Sequence, residues 1–153
     1  MIIRNFIPSD AAELLKLFTS TIREINIQDY SSEQVLAWAP ENRDPLEWEN
    51  SFLNKNVFVA VDEEQLCGFG ELEVTGHINR FYVHKDYQGK KVGSLIYKNI
   101  ESKARSLQIP RLFVEASITA KKFFERMGFI NTQEQQVELR GVKFTNYRME
   151  KFL

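Results

Sequence analysis

The segment His84-Lys-Asp-Tyr-Gln-Gly-Lys-Lys-Val-Gly-Ser94 sets glycines and lysines between a β-like run, Ile78 to Val83, and an amphipathic run that starts near Lys91. A helix N-terminus exposes unpaired backbone N–H groups and the positive end of the helix dipole, so a basic, Gly-containing strand-to-helix turn suits a phosphate or pyrophosphate. Neither G-x-x-x-x-G-K-[ST] nor G-x-G-x-x-G occurs, so the P-loop and dinucleotide-fold readings of such a turn fail. Other chemistry-bearing residues are sparse. Cys67 is the sole cysteine, which excludes an intramolecular disulfide and a thiolate metal site; it reads as a small buried hydrophobe. His77 and His84 fall short of a metal-binding pattern, and no metal is expected. Glu71 and Glu73, two apart on a predicted strand, are expected to share one face with Phe69 and Cys67.

These residues need a scaffold, and 153 residues with 43% apolar and 27% charged content supply one folded unit, so 1–153 are expected to form a single domain. A formal net charge of -1, with scattered lysines and arginines, argues against nucleic acid as a partner. No apolar stretch approaches the roughly 18 residues that span a bilayer, and Met1 to Pro8 lacks a signal-peptide layout, so a cytoplasmic protein with no membrane partner is expected.

Ile2 to Phe6 reads as a strand, and Pro8-Ser9-Asp10 as a helix start with Ser9 or Asp10 capping. Leu14, Leu15, Phe18, Ile22 and Ile25 then recur at helical spacing. Ser31 and Pro45 each open a short helix, the second carrying Trp48. Val57 to Val61, Gln65 to Val74 and His77 to His84 read as consecutive antiparallel strands. Val92, Leu95, Ile96, Ile100, Ala104 and Leu107 trace one helix face, and Leu112 to Glu115 forms a strand. Ser117 caps a final helix that ends at Gly128, and Arg140-Gly141 turns a closing hairpin.

With this order in place, Gln88-Gly-Lys-Lys-Val-Gly93 resembles the Q/R-x-x-G-x-G/A signature of the GNAT-type N-acetyltransferase superfamily. Phe81-Tyr-Val-His resembles the superfamily's fourth strand, and Ala120-Lys-Lys-Phe-Phe-Glu-Arg-Met-Gly-Phe129 its A-x-x-F-Y-E-K-x-G-F ending. Tyr30 to Pro40, Val114 to Ala120 and Arg140-Gly-Val are similar to small uncharacterised bacterial members. The resemblance implies an α/β GNAT (acyl-CoA N-acyltransferase) fold: a mixed, mostly antiparallel central sheet of about seven strands with helices on both faces.

It also implies transfer of an acetyl group from acetyl-CoA to the amine of a small molecule or peptide by direct attack. Backbone groups of Gln88, Gly89, Lys90, Lys91, Val92, Gly93 and Ser94 would hold the pyrophosphate, and the edge of Phe81, Tyr82 and Val83 would pair with the pantetheine arm. A backbone N–H near Tyr82 or Val83 would polarise the thioester oxygen. Ser117 and Phe124 are expected beside the same arm. An alkyl amine has a pKa of about 10, so a base is needed; Glu71, Glu73 and Glu115 are the candidates ahead of His77. The Tyr82 hydroxyl is the candidate acid. Ile22, Tyr30, Trp38 and His77 are expected around the acceptor. Dimerisation through sheet edges is common among relatives.

Two positions depart from the pattern. Lys91 stands where the signature has its first glycine, and Phe124 where many members carry a tyrosine that protonates the leaving thiolate. Phenyl has no proton to give, but a thiol pKa of about 8.5 makes the thiolate a fair leaving group unaided. The departures leave open a non-catalytic acetyl-CoA-binding sensor or interaction module.

Overall fold

The computed structural model describes residues 1–153. Its elements run β1 (Ile2–Asn5), α1 (Ala11–Glu24), α2 (Ser32–Trp38), α3 (Pro45–Asn50), β2 (Asn56–Asp62), β3 (Gln65–Leu72), β4 (Ile78–Val83), α4 (Val92–Ser106), β5 (Arg111–Ser117), α5 (Lys121–Arg126), β6 (Ile130–Leu139) and β7 (Val142–Phe152). Short 3-10 turns lie at Pro8–Asp10, Asn26–Gln28 and Lys85–Tyr87. No helix is long and apolar enough to cross a membrane.

The α/β architecture and antiparallel ladders match the expectation, but the seven strands form two hydrogen-bonded sheets, β1-β2-β3-β4 and β5-β7-β6, rather than one continuous sheet. The sheets meet only where the start of β4 lies parallel to β5, at the bridge between His77 and Phe113. There the Phe113 N–H donates to the Gly76 carbonyl at 3.0 Å. Beyond this point the two strands part.

Local chemistry sets the elements that flank the parting. Ser31 and Gln34 form a reciprocal capping box that starts α2, and the Asp44 carboxylate accepts from the Leu46 N–H with Pro45 in the first turn of α3. Asp10 does not cap α1 as expected. Its carboxylate turns back to accept from Ile7 N–H at 2.9 Å and from both Arg4 terminal nitrogens, pinning β1 to the helix. Arg140 and Gly141, with φ 50 and 78, make the two-residue left-handed turn that a tight hairpin requires.

Helices cover both faces. Val92, Ile96, Ile100 and Ala104 of α4 and Phe124 of α5 pack on Ala60, Leu72, Leu112 and Val114. Leu14, Phe18 and Ile22 of α1, Val35 of α2 and Trp48 of α3 pack on Val57, Val59 and Phe69. Each large apolar side chain so buried contributes about 1.5–3 kcal/mol. In α1 Leu17, not Leu15, completes the buried stripe; Leu95 of α4 and Leu107 just past its end are exposed. One face assignment fails for a physical reason. Ala60 pairs with Gly68 but Val61 with Leu66, so Cys67 is a bulge residue. The extra residue turns Cys67 toward the α4 core, away from Phe69, which packs beneath α1 and α3.

The junction of the sheets makes one position intolerant. Gly76 has φ +96, and a Cβ there would stand 2.0 Å from the Arg111 carbonyl oxygen. Gly76→Ala is therefore expected to destabilise the fold by about 2 kcal/mol or more, read as a lower midpoint in thermal or urea unfolding. An unchanged midpoint would show that the junction does not set the spacing of β4 and β5.

Candidate functional site

The parting of β4 and β5 opens a cleft of about 1210 Å³. One flank is the turn into α4 together with α5; the other is α1, the Trp38 to Ser51 stretch and the β6–β7 hairpin.

At the first flank the backbone is wound for an anion. Gln88 Nε2 donates to the Val83 carbonyl at 2.8 Å and ties the turn to the end of β4. Gly89 (φ 73) and Lys91 (φ 65) are both left-handed. Lys91 is the N-cap of α4 and contributes no side-chain cap; the first helical bond runs from Leu95 N–H to the Lys91 carbonyl at 3.2 Å. The N–H groups of Val92, Gly93 and Ser94 thus precede the first intrahelical bond and remain available at a helix start. Gly93 has a different reason to be glycine. A Cβ there would lie 2.9 Å from the Phe123 ring, so its absence lets α5 close against α4.

Phe81, Tyr82, Val83, Gln88, Gly89, Lys91, Val92, Gly93, Ser94, Ser117 and Phe124 all line the cleft. Lys90 does not: its ammonium lies over the Tyr87 ring, 5.2 Å from the centroid. Phe124 is only 2% exposed and packs edge-on against Phe81, Phe123 and Phe129, so it is a core residue at the base of the cleft. Ser117 Oγ accepts from Ala120 N–H at 3.1 Å and shapes the turn before α5.

The edge of β4 refines the backbone donors. His84 N–H donates to the Cys67 carbonyl on β3, so alternation turns the polar groups of Tyr82 and His84 toward β3 and those of Phe81 and Val83 toward the cleft. The expected Tyr82 N–H is therefore unavailable, and Val83 N–H is the candidate. The Val83 carbonyl already accepts from Gln88 and, at 3.1 Å, from Thr21 Oγ1.

On the acceptor flank Tyr30, Trp38 and Tyr82 line the cleft, whereas Ile22 is fully buried in the α1 core and does not line it. Trp38 Nε1 donates to the Tyr82 hydroxyl at 3.1 Å, and Phe18 stands edge-on to the Tyr82 ring. Burial pushes the Tyr82 phenol well above its ordinary pKa, so it stays protonated and is a weaker acid than a free phenol. Tyr30 is anchored by donating to the Thr145 carbonyl and accepting from Ile118 N–H, each at 2.9 Å.

The carboxylates separate into distinct roles. Glu71 is fully buried and holds Arg80 through both oxygens, with Lys55 Nζ 3.6 Å away. Glu71 cannot serve as the expected base, because it has no access to the cleft and both its oxygens are engaged. Glu73 lies just past the end of β3 and shares Lys55, at 3.6 Å, with Glu71. His77, expected beside the acceptor, is instead stacked on Phe113 at 4.9 Å, with Nδ1 2.5 Å from Glu73 and Nε2 2.5 Å from Glu115. Neither Glu73 nor His77 lines the cleft. Glu115 does; its Oε2 meets His77, and its Oε1 has no hydrogen-bond partner within the protein.

Several cleft residues carried no sequence signal. Arg43, in a loop flanked by acidic residues, reads as surface charge, and Asn146 as one polar residue of the closing hairpin; both line the cleft with a shielded side-chain atom that has no hydrogen-bond partner. Arg80, between Asn79 and Phe81 on β4, also lines the cleft, and its local sequence names no partner.

Comparison with known proteins gives a consistent setting. The family model described as "Acetyltransferase (GNAT) domain" matches residues 26–151. The uncharacterized N-acetyltransferase YafP of Escherichia coli (strain K12) is 36% identical over 147 residues, covering 96% of this chain and 93% of YafP. A GCN5-related N-acetyltransferase structure from Rhodopseudomonas palustris is 31% identical, with TM-score 0.95 over 99% of this chain and 95% of that one. The PaiA N-acetyltransferase of Thermoplasma acidophilum, solved in complex with coenzyme A, has a TM-score of 0.75 at 19% identity over 99% and 98% of the two chains, a likeness of fold.

Two substitutions test the assignments of this site. Glu71→Ala leaves the mostly shielded Arg80 guanidinium without a carboxylate, and a loss of about 3 kcal/mol of stability is expected; Glu71→Leu with Arg80→Met together should recover most of it. Denaturant unfolding of the three proteins reads the outcome, and a double variant as unstable as the single one would refute the pairing. Lys91→Gly removes a side chain from a left-handed residue, so a stability gain of about 1 kcal/mol is expected with coenzyme A affinity retained. Lost affinity in calorimetry would show that the Lys91 ammonium itself holds phosphate.

Proposed function

The chain belongs to the GNAT acetyltransferase family of acetyl-CoA-dependent acyltransferases, and we propose that residues 1–153 act as one domain that transfers the acetyl group of acetyl-CoA to a primary amine of a small molecule or peptide. The observation that carries this reading is the shared cleft. It joins the free N–H groups at the start of α4, the outward polar edge of Phe81 and Val83, and the Glu115 carboxylate.

In this reading the pyrophosphate of acetyl-CoA lies on the turn of Gln88 to Ser94, where backbone N–H groups and the helix dipole favour negative charge. The pantetheine arm runs along the β4 edge, and Val83 N–H polarises the thioester oxygen. The acceptor enters from the Trp38 side. Glu115 Oε1 takes a proton from the ammonium, the free amine attacks the carbonyl carbon, and the carbon–sulfur bond breaks as the amide forms. The Tyr82 phenol supplies a proton to the departing thiolate, the role that Phe124 cannot fill, and regains one from the second proton that the nitrogen sheds as the amide forms. His77 and Glu73 hold Glu115 in place from behind.

Glu115→Gln keeps the shape and the contact with His77 but removes the base. A fall in kcat of about a hundredfold is expected, with coenzyme A affinity unchanged within about twofold, measured by thiol release and calorimetry. An unchanged kcat would remove Glu115 from the mechanism. Retained coenzyme A binding with no thiol release from the wild-type protein against any amine would favour the non-catalytic binding module.

A further inference from the structure

The acceptor flank of the cleft holds guanidinium groups that the protein itself does not neutralise. The arginine–carboxylate pairs of the chain are those of Arg4, Arg80, Arg105 and Arg111, so Arg43 and Arg140 pair with no acidic side chain. Arg140, at the tip of the β6–β7 hairpin, donates to the Ala37 carbonyl at 2.6 Å. Arg43 lies against the rings of Phe18 and Trp48, 5.1 Å from each centroid, and its Nη1 is shielded with no hydrogen-bond partner. Glu47 also lines the cleft but forms no ion pair with Arg43. Burial, then the charges of Arg140 and Arg80, push the Arg43 guanidinium below its ordinary value, which shows how poorly the protein accommodates this cation on its own.

A buried donor left unpaired, with a second uncompensated cation beside it, is costly unless something brings the missing negative charge. Aromatic faces hold the planar guanidinium in place but do not satisfy its N–H groups. The second shielded atom of the cleft is complementary. Asn146 Oδ1, on the strand paired with Ser117 of β5, is an unpartnered acceptor suited to an N–H.

We infer that the acceptor is an amine that also carries an oxyanion, a carboxylate in the first instance, and that Arg43 binds that anion with Arg140 adding to the local positive field. The inference rests on the acetyl-transfer reading of the cleft and names its substrate class. The apolar body of such an acceptor would lie against Trp38, Tyr30 and Phe144, whose rings line the space between. A diamine or other polycation has no counterpart for Arg43 and would leave its Nη1 unpaired.

The test compares matched amines with and without the anion: phenylalanine with phenethylamine, 4-aminobutyrate with butylamine, and 2-aminoethylphosphonate and 2-aminoethanesulfonate with ethylamine, alongside 1,4-diaminobutane. Thiol release from acetyl-CoA by the full chain gives kcat/KM for each. The best anionic amine should exceed its neutral partner by about tenfold or more, Arg43→Gln should collapse that ratio to within about threefold, and Arg43→Lys should restore part of it. The pairs identify which oxyanion is preferred. A second readout does not require turnover: Trp48 lies against Arg43, so tryptophan fluorescence of the coenzyme A complex should respond saturably to phenylacetate or glutarate, and this response should be lost in Arg43→Gln. Neutral amines or the diamine matching or exceeding every anionic amine would overturn the inference while acetyl transfer stood. Were no amine acetylated, a saturable carboxylate response abolished by Arg43→Gln would support the anion site and fault the transfer reading, and no response would overturn the anion site.

Discussion

Strands β4 and β5 run parallel but share only the pairing of His77 with Phe113, and every feature of the site follows from how the strands are held together there and apart beyond it. Two strand edges that separate inside a protein expose N–H and C=O groups that must find partners elsewhere. This chain meets part of that need itself. Thr21 of α1 and Gln88 of the turn both donate to the Val83 carbonyl. The side chains that close the strand edge thereby also position α1 and the anion turn relative to β4, so the parting and its flanks are one construction. The remaining outward donors of β4 then face a space into which an extended amide-bearing ligand can add as a strand would.

The same junction organises the charges. From Glu115 a line of contacts runs through His77 to Glu73, on to Lys55, and from there to Glu71 and Arg80. Acidic and basic side chains alternate along it, and its two ends differ in exposure: the Glu71 side chain is fully buried, whereas that of Glu115 is 43% exposed. The buried end is a matter of specificity and stability, because neither Glu71 nor Arg80 tolerates losing its partner. Partly exposed pairs such as Lys55 with Glu73 contribute little energy by themselves but fix side-chain direction. A carboxylate held by one oxygen, with the other free in a cleft, is what a proton acceptor requires.

Legibility in the sequence followed the range of the interactions. The capping box at Ser31, the left-handed turn at Arg140-Gly141 and the helix start at Lys91 depend on neighbours within a few residues, and each was readable. Cys67 was misplaced because a bulge shifts facing by one residue without altering the alternation of residue types. Ile22 fits both the apolar face of α1 and the acceptor side, and only packing on distant strands decides for the core; the contact of His77 with Glu115 likewise comes from a strand 38 residues on. Arg43 was invisible for the same reason. Its environment is made by α1, α3 and the final hairpin, and no local spacing encodes it.

The departure at Lys91 shows that the glycines of a signature need not share a cause. The position demands a left-handed backbone, which lysine adopts at φ 65, and nothing in the structure requires its side chain to be absent. The penalty is conformational, on the order of 1 kcal/mol or somewhat more, which a stable fold can absorb. Gly93 is different. Its conformation is ordinary helix, but the Phe123 ring occupies the space of any added Cβ, so a side chain there would separate α5 from α4 and widen the cleft between the anion turn and the end of β5. The first position is replaceable because its requirement is angular, and the second is fixed because its requirement is contact. Substitution at the former can leave the anion site intact, since its donors are backbone groups whose directions depend on φ and ψ and not on the residue that supplies them.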